Sequence, residues 1–320
     1  MKFLGISIIA ACLFVSGCSE IKKSLHTVVD KEQQVFPKAS VGKIRPTLRF
    51  PSHNIGERNI FVWIPDGYRE AVKSGVKFAT LYMHDAQMLF DSNITWNNQE
   101  WQLDEIAHSL INNQETIPFI IVGIDNAGDA LRYVEYMPQK PFESLSEELQ
   151  AELIAKSSPT GETVYSDRYL EFLTGELKPY IDRNYATLSE REYTYVGGSS
   201  MGGLISWYAV AEYPDVFGGC ICMSTHFPGG YDMQDWTIYN AFEDYMKANL
   251  PVTGSHRLYF DYGTRTLDEN YPPFHDRLRR TFAQLNADPD NVNIIKYDGH
   301  AHDEVSWSSR VDVPLKKMFN

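Results

Sequence analysis

Seven apolar runs, most of them continuous rather than alternating, punctuate the chain between residues 59 and 297, and segments of helical period lie between them. The runs are Asn59–Ile64, Phe78–Met83, Phe119–Ile124, Tyr193–Val196, Gly219–Met223, Leu258–Tyr262 and Val292–Tyr297. A strand that is apolar on both sides must be covered on both sides, the condition of a parallel sheet packed between helices. The helix-period segments are Trp101–Asn112, Asp167–Arg183, Ser200–Glu212, Asp235–Asn249, Phe274–Asn286 and one near Val305–Phe319. Alternation of this kind predicts an α/β fold, a mostly parallel central sheet with helices on both faces. Thr47–Phe50, followed by Asn54-Ile55-Gly56, predicts an antiparallel hairpin at the sheet edge. Pro138–Thr163 is polar and rich in Glu and Ser, and reads as an insertion overhanging the site. No internal repeat or second core interrupts residues 44–320, which are expected to form one domain.

The N-terminus reads differently. Lys2 precedes an apolar stretch from Phe3 to Val15, and Val15-Ser16-Gly17-Cys18 follows. The stretch is too short for a permanent span, and small residues before Cys18 suit a secretory cleavage site. The segment resembles a bacterial lipoprotein signal, which implies removal of residues 1–17 and a lipid on the Cys18 sulfur. Ser19, rather than Asp, resembles lipoproteins sent to the outer membrane. Residues 18–43 then form the lipidated N-terminus and a polar tether. The expected location is the cell envelope, with membrane contact through the lipid alone.

A formal charge of -13 argues against nucleic acid or an anionic membrane surface as partner. Of four cysteines, Cys12 and Cys18 belong to the signal region, and Cys220 and Cys222 read as buried thiols on one strand. Residues two apart on a strand are too distant for an easy disulfide. No CxxC, Walker loop, dinucleotide fingerprint or HExxH motif is present, so neither metal nor cofactor is expected. The expected state is a monomer.

Chemistry concentrates in Tyr193-Thr194-Tyr195-Val196-Gly197-Gly198-Ser199-Ser200-Met201-Gly202-Gly203. A β-prone run enters Gly198-x-Ser200-x-Gly202, and a helix-prone segment leaves it and stops at Pro214. This is the pattern of a nucleophile elbow, a strand turning sharply into a helix with one hydroxyl at the bend. Only Ser200 has glycines two residues away on both sides, which excludes Ser199. The helix start aims N–H groups at the point where an oxyanion would form, with Met201 N–H the first of them.

A serine nucleophile needs a base, and the base needs an acid to fix its tautomer. The order Ser, Asp or Glu, His places both downstream of Ser200. Asp298-Gly299-His300-Ala301-His302-Asp303-Glu304 follows the last strand, so His300 and His302 are the candidates, His302 favoured. His256 precedes its strand and His275 lies on a helix, which suits solvated or packing roles. After Leu258–Tyr262 the loop holds Asp268 and Glu269. Asp268 is the choice because the acid belongs beyond the strand end, with Glu269 and the in-strand Asp261 as alternatives.

The chain resembles the putative-esterase family of α/β-hydrolases, which includes esterase D-like enzymes, feruloyl and acetyl-xylan esterases, and trilactone-siderophore esterases. The matching stretches are Leu81-Tyr82-Met83-His84-Asp85-Ala86-Gln87, Phe90-Asp91, Trp101–Asp104, Ile121–Asn126, Arg132–Pro138 and Gly197–Gly203. Later come Phe260–Thr264 with Leu267-Asp268, and His302-x-Glu304-x-x-Trp307. The resemblance implies an α/β-hydrolase fold with Ser200, His302 and Asp268 as catalytic residues, and favours His302 over His300. It also implies a second oxyanion donor from Asp85 or Ala86. Ala86 stands where many relatives carry Gly, and Arg265 where relatives often carry Glu.

Around this site His84, Trp96, Arg132 and His226 are substrate-pocket candidates. Trp96 lies in a polar loop and suits stacking on substrate; Trp101, Trp207 and Trp307 are expected in the core. His84 and Asp85 suit bracing of their loop, and Arg132 and Glu135 either an ion pair or substrate contact. The expected activity is hydrolysis of an extracytoplasmic ester, of acetyl, feruloyl or siderophore type, on a small molecule or oligosaccharide. The rival expectations are an acyltransferase with the same triad and a noncatalytic glycan- or siderophore-binding lipoprotein.

Overall fold

Eight strands form one sheet in the order β1-β2-β4-β3-β5-β6-β7-β8. They are β1 Lys43–Phe50, β2 Arg58–Ile64, β3 Ala79–His84, β4 Phe119–Ile124, β5 Thr194–Ser199, β6 Gly219–Met223, β7 Arg257–Tyr262 and β8 Val292–Lys296. Strands β3 to β8 run parallel, whereas β2 is antiparallel to both β1 and β4. The edge hairpin expected from Thr47–Phe50 is therefore present, and its first strand begins earlier, at Lys43. β3, β4, β5 and β6 are buried along their whole lengths, as their continuous apolar sequences require. Helices pack around the sheet, Met201–Glu212 among them buried from Met201 to Ala211. Cys220 and Cys222 are both buried free thiols on β6.

The computed structural model describes residues 36–320, and Pro37–Asn320 forms one unit. The segment read as a signal, with Cys12 and Cys18, lies outside the described residues. Among those described, no helix is long and apolar enough to cross a membrane.

Two helical expectations need correction. Ser166–Asn184 is helical throughout but carries a π-helical turn at Phe172–Leu177. Pro179 has no N–H to offer the carbonyl of Gly175, and its ring crowds that carbonyl, so the ladder shifts there. The segment expected as one helix to Phe319 is two, Glu304–Ser308 and Asp312–Phe319. Pro314 would disrupt a continuous helix but is tolerated in the first turn of a new one. The break also turns Arg310 inward, where its side chain is buried. The insertion Pro138–Thr163 contains helices Gln139–Glu143 and Glu147–Ser157, and a further helix, Asp129–Tyr136, precedes it.

Residues 37–43, read from sequence as the end of the tether, belong to the folded unit. Asp91 accepts a hydrogen bond from Lys38 N–H at 3.0 Å. Asp104 accepts from Ser40 N–H at 2.7 Å and Val41 N–H at 3.3 Å, while Trp63 Nε1 donates to the Val41 carbonyl at 2.8 Å. Burial, with a hydrogen bond and charge from Glu105, pushes the Asp104 carboxyl up from 3.8 to about 7. A raised folded-state pKa means that the folded chain holds a proton the unfolded chain has released. Stability from this group is thus fully present below about pH 4 and is lost as pH rises toward about 7. Asp104→Asn keeps an acceptor for Ser40 N–H and removes the titration. Its melting temperature should decline less across that interval than the parent's, and an unchanged slope in a pH series of thermal melts would contradict this.

Candidate active site

The C-terminal ends of neighbouring strands bring the candidate residues together, the usual place for chemistry in a parallel sheet. Ser200 follows β5 directly and caps the helix Met201–Glu212 with φ 57° and ψ −119°. Positive φ in a non-glycine residue costs about 1–3 kcal/mol and persists only where the surroundings enforce it. Here the enforcing contacts are visible. Ser200 N–H donates to the Met223 carbonyl at 3.0 Å, and the Ser200 carbonyl accepts from His226 N–H at 3.2 Å. A methyl group on Gly198 would lie 3.0 Å from the Gly202 Cα, and one on Gly203 would lie 2.6 Å from the Thr225 hydroxyl. The glycines therefore exist to let the turn close. Met201 N–H is the first of the helix and has no acceptor within it.

The His84–Gln87 segment lies against this turn, since a methyl group on Gly202 would sit 3.3 Å from Asp85 Oδ2. Asp85 has left-handed backbone angles, φ 58° and ψ 48°, at the end of β3. Arg132 holds its carboxylate in two bonds, Nε to Oδ1 at 2.8 Å and Nη2 to Oδ2 at 2.9 Å. Asn126 Nδ2 donates to Oδ1 at 2.6 Å. Burial works to raise the Asp85 carboxyl, but Arg132 and Asn126 outweigh it and hold it below the ordinary carboxylate range. Arg132 is thus spent on bracing this loop. Ala86 is fully buried beneath it, packed close to Gly123 of β4. His84 is buried against Tyr169, whose hydroxyl lies 2.8 Å from Nδ1, and burial pushes its imidazole down to about 4, so it is neutral at ordinary pH.

His302 Nδ1 lies 2.6 Å from Asp268 Oδ1. Asp268 is fully buried, and its other oxygen accepts from Ser224 Oγ and from Gly263 N–H, each at 2.6 Å. Burial alone would raise this carboxyl, but the His302 hydrogen bond and charge, with Ser224 and Gly263, hold it low. The loop carrying His302 is stitched to the loop after β7. The His300 carbonyl accepts from Thr264 and Arg265 N–H at 2.9 and 3.0 Å, and His302 N–H donates to Thr266 Oγ1 at 2.8 Å. A methyl group on Gly263 would meet the His300 carbonyl at 2.2 Å, so only glycine permits this approach. The Trp307 and Tyr271 rings stand edge-on to the His302 ring at 5.1 and 5.8 Å.

The alternatives lie elsewhere. Asp261 is fully buried and paired with Arg310, Nε to Oδ2 at 3.1 Å and Nη2 to Oδ1 at 3.0 Å. Glu269 is exposed. His300 Nδ1 faces Arg310 and the Ser306 carbonyl, not a carboxylate. His256 is held by the Pro214 carbonyl, and His275 is buried on the Tyr262 ring.

Two residues absent from the sequence reading complete the site. Ser224 follows β6 with φ 42°; its hydroxyl donates to Asp268 and accepts from Trp307 Nε1 at 3.0 Å and Arg310 Nη2 at 2.9 Å. Tyr271 is fully buried, with its hydroxyl 2.8 Å from His226 Nδ1 and beside the Ser200 hydroxyl. His226 Nε2 lies 3.0 Å from the Gly230 carbonyl, which can only accept, so Nε2 carries the proton. Nδ1 must then accept from Tyr271 O–H. Burial keeps His226 neutral by pushing it down to about 4. No local motif marks Ser224 or Tyr271; only the packing of strand ends reveals them.

Two cavities meet at Ser200. The larger, about 560 Å³, is walled by Trp96, Trp101 and Trp307 with Met88, and also contains His302, Asp85, Gln87, Asn126, Asp129 and Glu304. Trp96 is 84% exposed at its rim, whereas Trp101, Trp207 and Trp307 are buried. The smaller, about 390 Å³, is lined by Tyr133, Ser157, Met201, His226, Tyr231, Met233 and Leu267. Ser157 ends the helix Glu147–Ser157, so the segment read as an overhang borders this cavity. Asp129, Arg132 and Ser200 line both. Among the described residues no group of three or more His, Cys, Asp or Glu side chains is placed to hold a metal ion.

The family model described as Putative esterase matches residues 52–284. The uncharacterized protein YbbA of Bacillus subtilis (strain 168) is 28% identical over 166 residues, 52% of this chain and 56% of that protein. The match thus spans little more than half the length of that curated relative. Among solved structures, a ferulic acid esterase superposes with a TM-score of 0.59 at 17% identity, over 87% of this chain and 98% of that one. The enterobactin esterase FES from Shigella flexneri, determined in the presence of 2,3-di-hydroxy-N-benzoyl-glycine, gives 0.63 at 15% identity, over 88% of this chain and 60% of that one. An IroE-like serine hydrolase from Shewanella oneidensis gives 0.60 at 16% identity, over 86% and 79%. These structures share the α/β-hydrolase fold with this chain, and the match over residues 52–284 shows that the chain belongs to the Putative esterase family.

Proposed function

We propose that the protein is a serine carboxylic-ester hydrolase working through an acyl-enzyme. The observation that carries this reading is the buried Asp268–His302 hydrogen bond in the cleft that also holds Ser200 at its strained turn. Ser200 Oγ attacks the ester carbonyl carbon and passes its proton to His302 Nε2. The developing oxyanion is met by Met201 N–H and by Asp85 or Ala86 N–H. Collapse breaks the bond to the alcohol oxygen, which takes the proton from His302. Water then attacks the acyl-serine carbonyl carbon and gives a proton to His302; on collapse the bond to Ser200 Oγ breaks and His302 returns that proton to Ser200 Oγ, releasing the acid and restoring the enzyme. Asp268 holds the Nδ1–H tautomer and stabilises the imidazolium formed at each step.

The family and the esterase neighbours support ester hydrolysis, and the ferulic acid and enterobactin esterases among them suggest which esters to try. We propose an extracytoplasmic ester of acetyl, feruloyl or siderophore type, met by an enzyme anchored in the cell envelope through a lipid on Cys18. Cys18→Ala should release the protein from the membrane fraction, and continued sedimentation with membranes would refute the anchor.

Two measurements test the chemistry. Ser200→Ala should lower kcat for p-nitrophenyl acetate by about 10⁶-fold with the circular dichroism spectrum unchanged; retained turnover sinks the assignment. Asp268→Asn should cost about 10⁴-fold in kcat, while Glu269→Gln should leave it unaltered. Asp261→Asn strands Arg310 and should cost about 3–5 kcal/mol of stability, read from denaturant titration. Equal kinetic losses for Asp268→Asn and Glu269→Gln would remove Asp268 from the triad.

A further inference from the structure

An ester has two arms, and the two cavities that meet at Ser200 differ in one respect that decides which arm each receives. His302 lines the larger cavity and not the smaller. The proton His302 accepts from Ser200 must be delivered to the oxygen of the departing alcohol, so that oxygen lies on the His302 side of the carbonyl carbon. The other substituent then points away from His302, past Met201 and His226. We propose, building on the serine-hydrolase reading above, that the leaving alcohol occupies the tryptophan-walled cleft and the acyl chain occupies the Tyr133–Met233–Leu267 cavity. We further propose that the alcohol side selects alcohols bearing hydroxyl donors or positive charge over anionic ones.

The selectivity follows from the charges on the cleft wall. Asp85, Asp129 and Glu304 are three carboxylates, and among the described residues Arg132 is the only Lys or Arg lining the cleft. One edge of it, Nε and Nη2, is bonded to Asp85, so these two charges are already paired with each other and Asp129 and Glu304 are left over. Asp129 is exposed where the cavities join, and Glu304, buried and bonded through one oxygen to Asn97 Nδ2 at 2.7 Å, lies on the wall beside His302. Carboxylates accept from hydroxyl and ammonium donors and repel a carboxylate or phenolate. The exposed face of Trp96 attracts a cation or a hydrocarbon face in the same way. Beyond the shared Asp129 and Arg132 at its mouth, the smaller cavity offers Met201, Met233, Leu267 and two tyrosine rings, surfaces suited to an acyl chain.

The test varies one arm at a time on the full protein. With p-nitrophenol as a fixed alcohol, Met233→Trp should lower the hexanoyl-to-acetyl ratio of kcat/KM by about tenfold, and Trp96→Ala should leave that ratio alone. With acetyl as the fixed acyl group, acetates of 3-hydroxybenzoate, 3-nitrophenol and 3-(trimethylammonio)phenol are compared, each rate divided by its hydroxide-catalysed rate. The anionic ester should be slowest, Asp129→Asn with Glu304→Gln should narrow its deficit, and Met233→Trp should not. A reversed pattern, with Met233→Trp changing alcohol preference and Trp96→Ala changing acyl preference, overturns the assignment of arms. An anionic acetate turned over as fast as the neutral one overturns the charge selectivity. Failure of every ester together with failure of a phosphonate probe to label Ser200 would instead sink the serine-hydrolase reading, and this assignment with it.

Discussion

One buried carboxylate ties the strand ends together. Asp268 takes hydrogen bonds from Ser224 after β6, from Gly263 after β7, and from His302 on the loop after β8. Hydrogen bonds to a charged group contribute about 1.5–3 kcal/mol each, and a buried carboxylate stripped of them would be a large penalty. The loops that deliver these donors are therefore not free to move independently. Behind Asp268 the arrangement is completed by an ion pair, Asp261 with Arg310, which share Ser224 as a junction. Ser224 uses its hydroxyl hydrogen on Asp268 and accepts from both Trp307 and Arg310, so its bonding capacity is filled. The position of His302 is the outcome of this chain of satisfied groups rather than of its own loop.

The elbow depends on a different constraint, that of space. Gly198 and Gly202 meet almost backbone to backbone, and Gly203 lies against Thr225. Close packing on one side fixes where Ser200 points; on the other stands the Tyr271–His226–Gly230 line. Because His226 must donate through Nε2, Tyr271 spends its own proton on Nδ1 and presents only lone pairs. With that proton committed, Tyr271 has none to offer Ser200 while that tautomer holds.

Most of the sheet was legible in the sequence because strands buried on both faces must be apolar at every position, which needs no knowledge of neighbours. The expected runs and the observed strands β2 to β8 agree to within a residue or so at most ends, β5 running on through Ser199. Ser200 was legible because a tight strand-to-helix turn leaves a local glycine signature. Asp268 and His302 were readable as positions beyond strand ends, and the structure brings these two together while Asp261 goes to Arg310. What could not be read is whatever depends on two distant segments at once. Arg310 breaks a helix in order to reach Asp261, and residues 38–41 look like tether until Asp91 and Asp104 supply their acceptors. Ser224 and Tyr271 carry no pattern, since a lone serine after a strand and a tyrosine before two prolines are ordinary in themselves.

The division between sheet and excursion also orders the site. Strand ends supply Ser200, Asp268, Ser224 and the turn at Asp85, groups whose chemistry depends on fixed distances. The excursion from Asp129 to Ser157 supplies walls of both cavities and, through Arg132, the clamp on Asp85. A substrate pressing on the helix Asp129–Tyr136 would therefore press on the loop that carries the second candidate oxyanion donor. Two rigid bonds from one guanidinium make that helix and that loop a single mechanical piece. Contacts made by the excursion can in this way reach the turn at Asp85 without crossing the sheet.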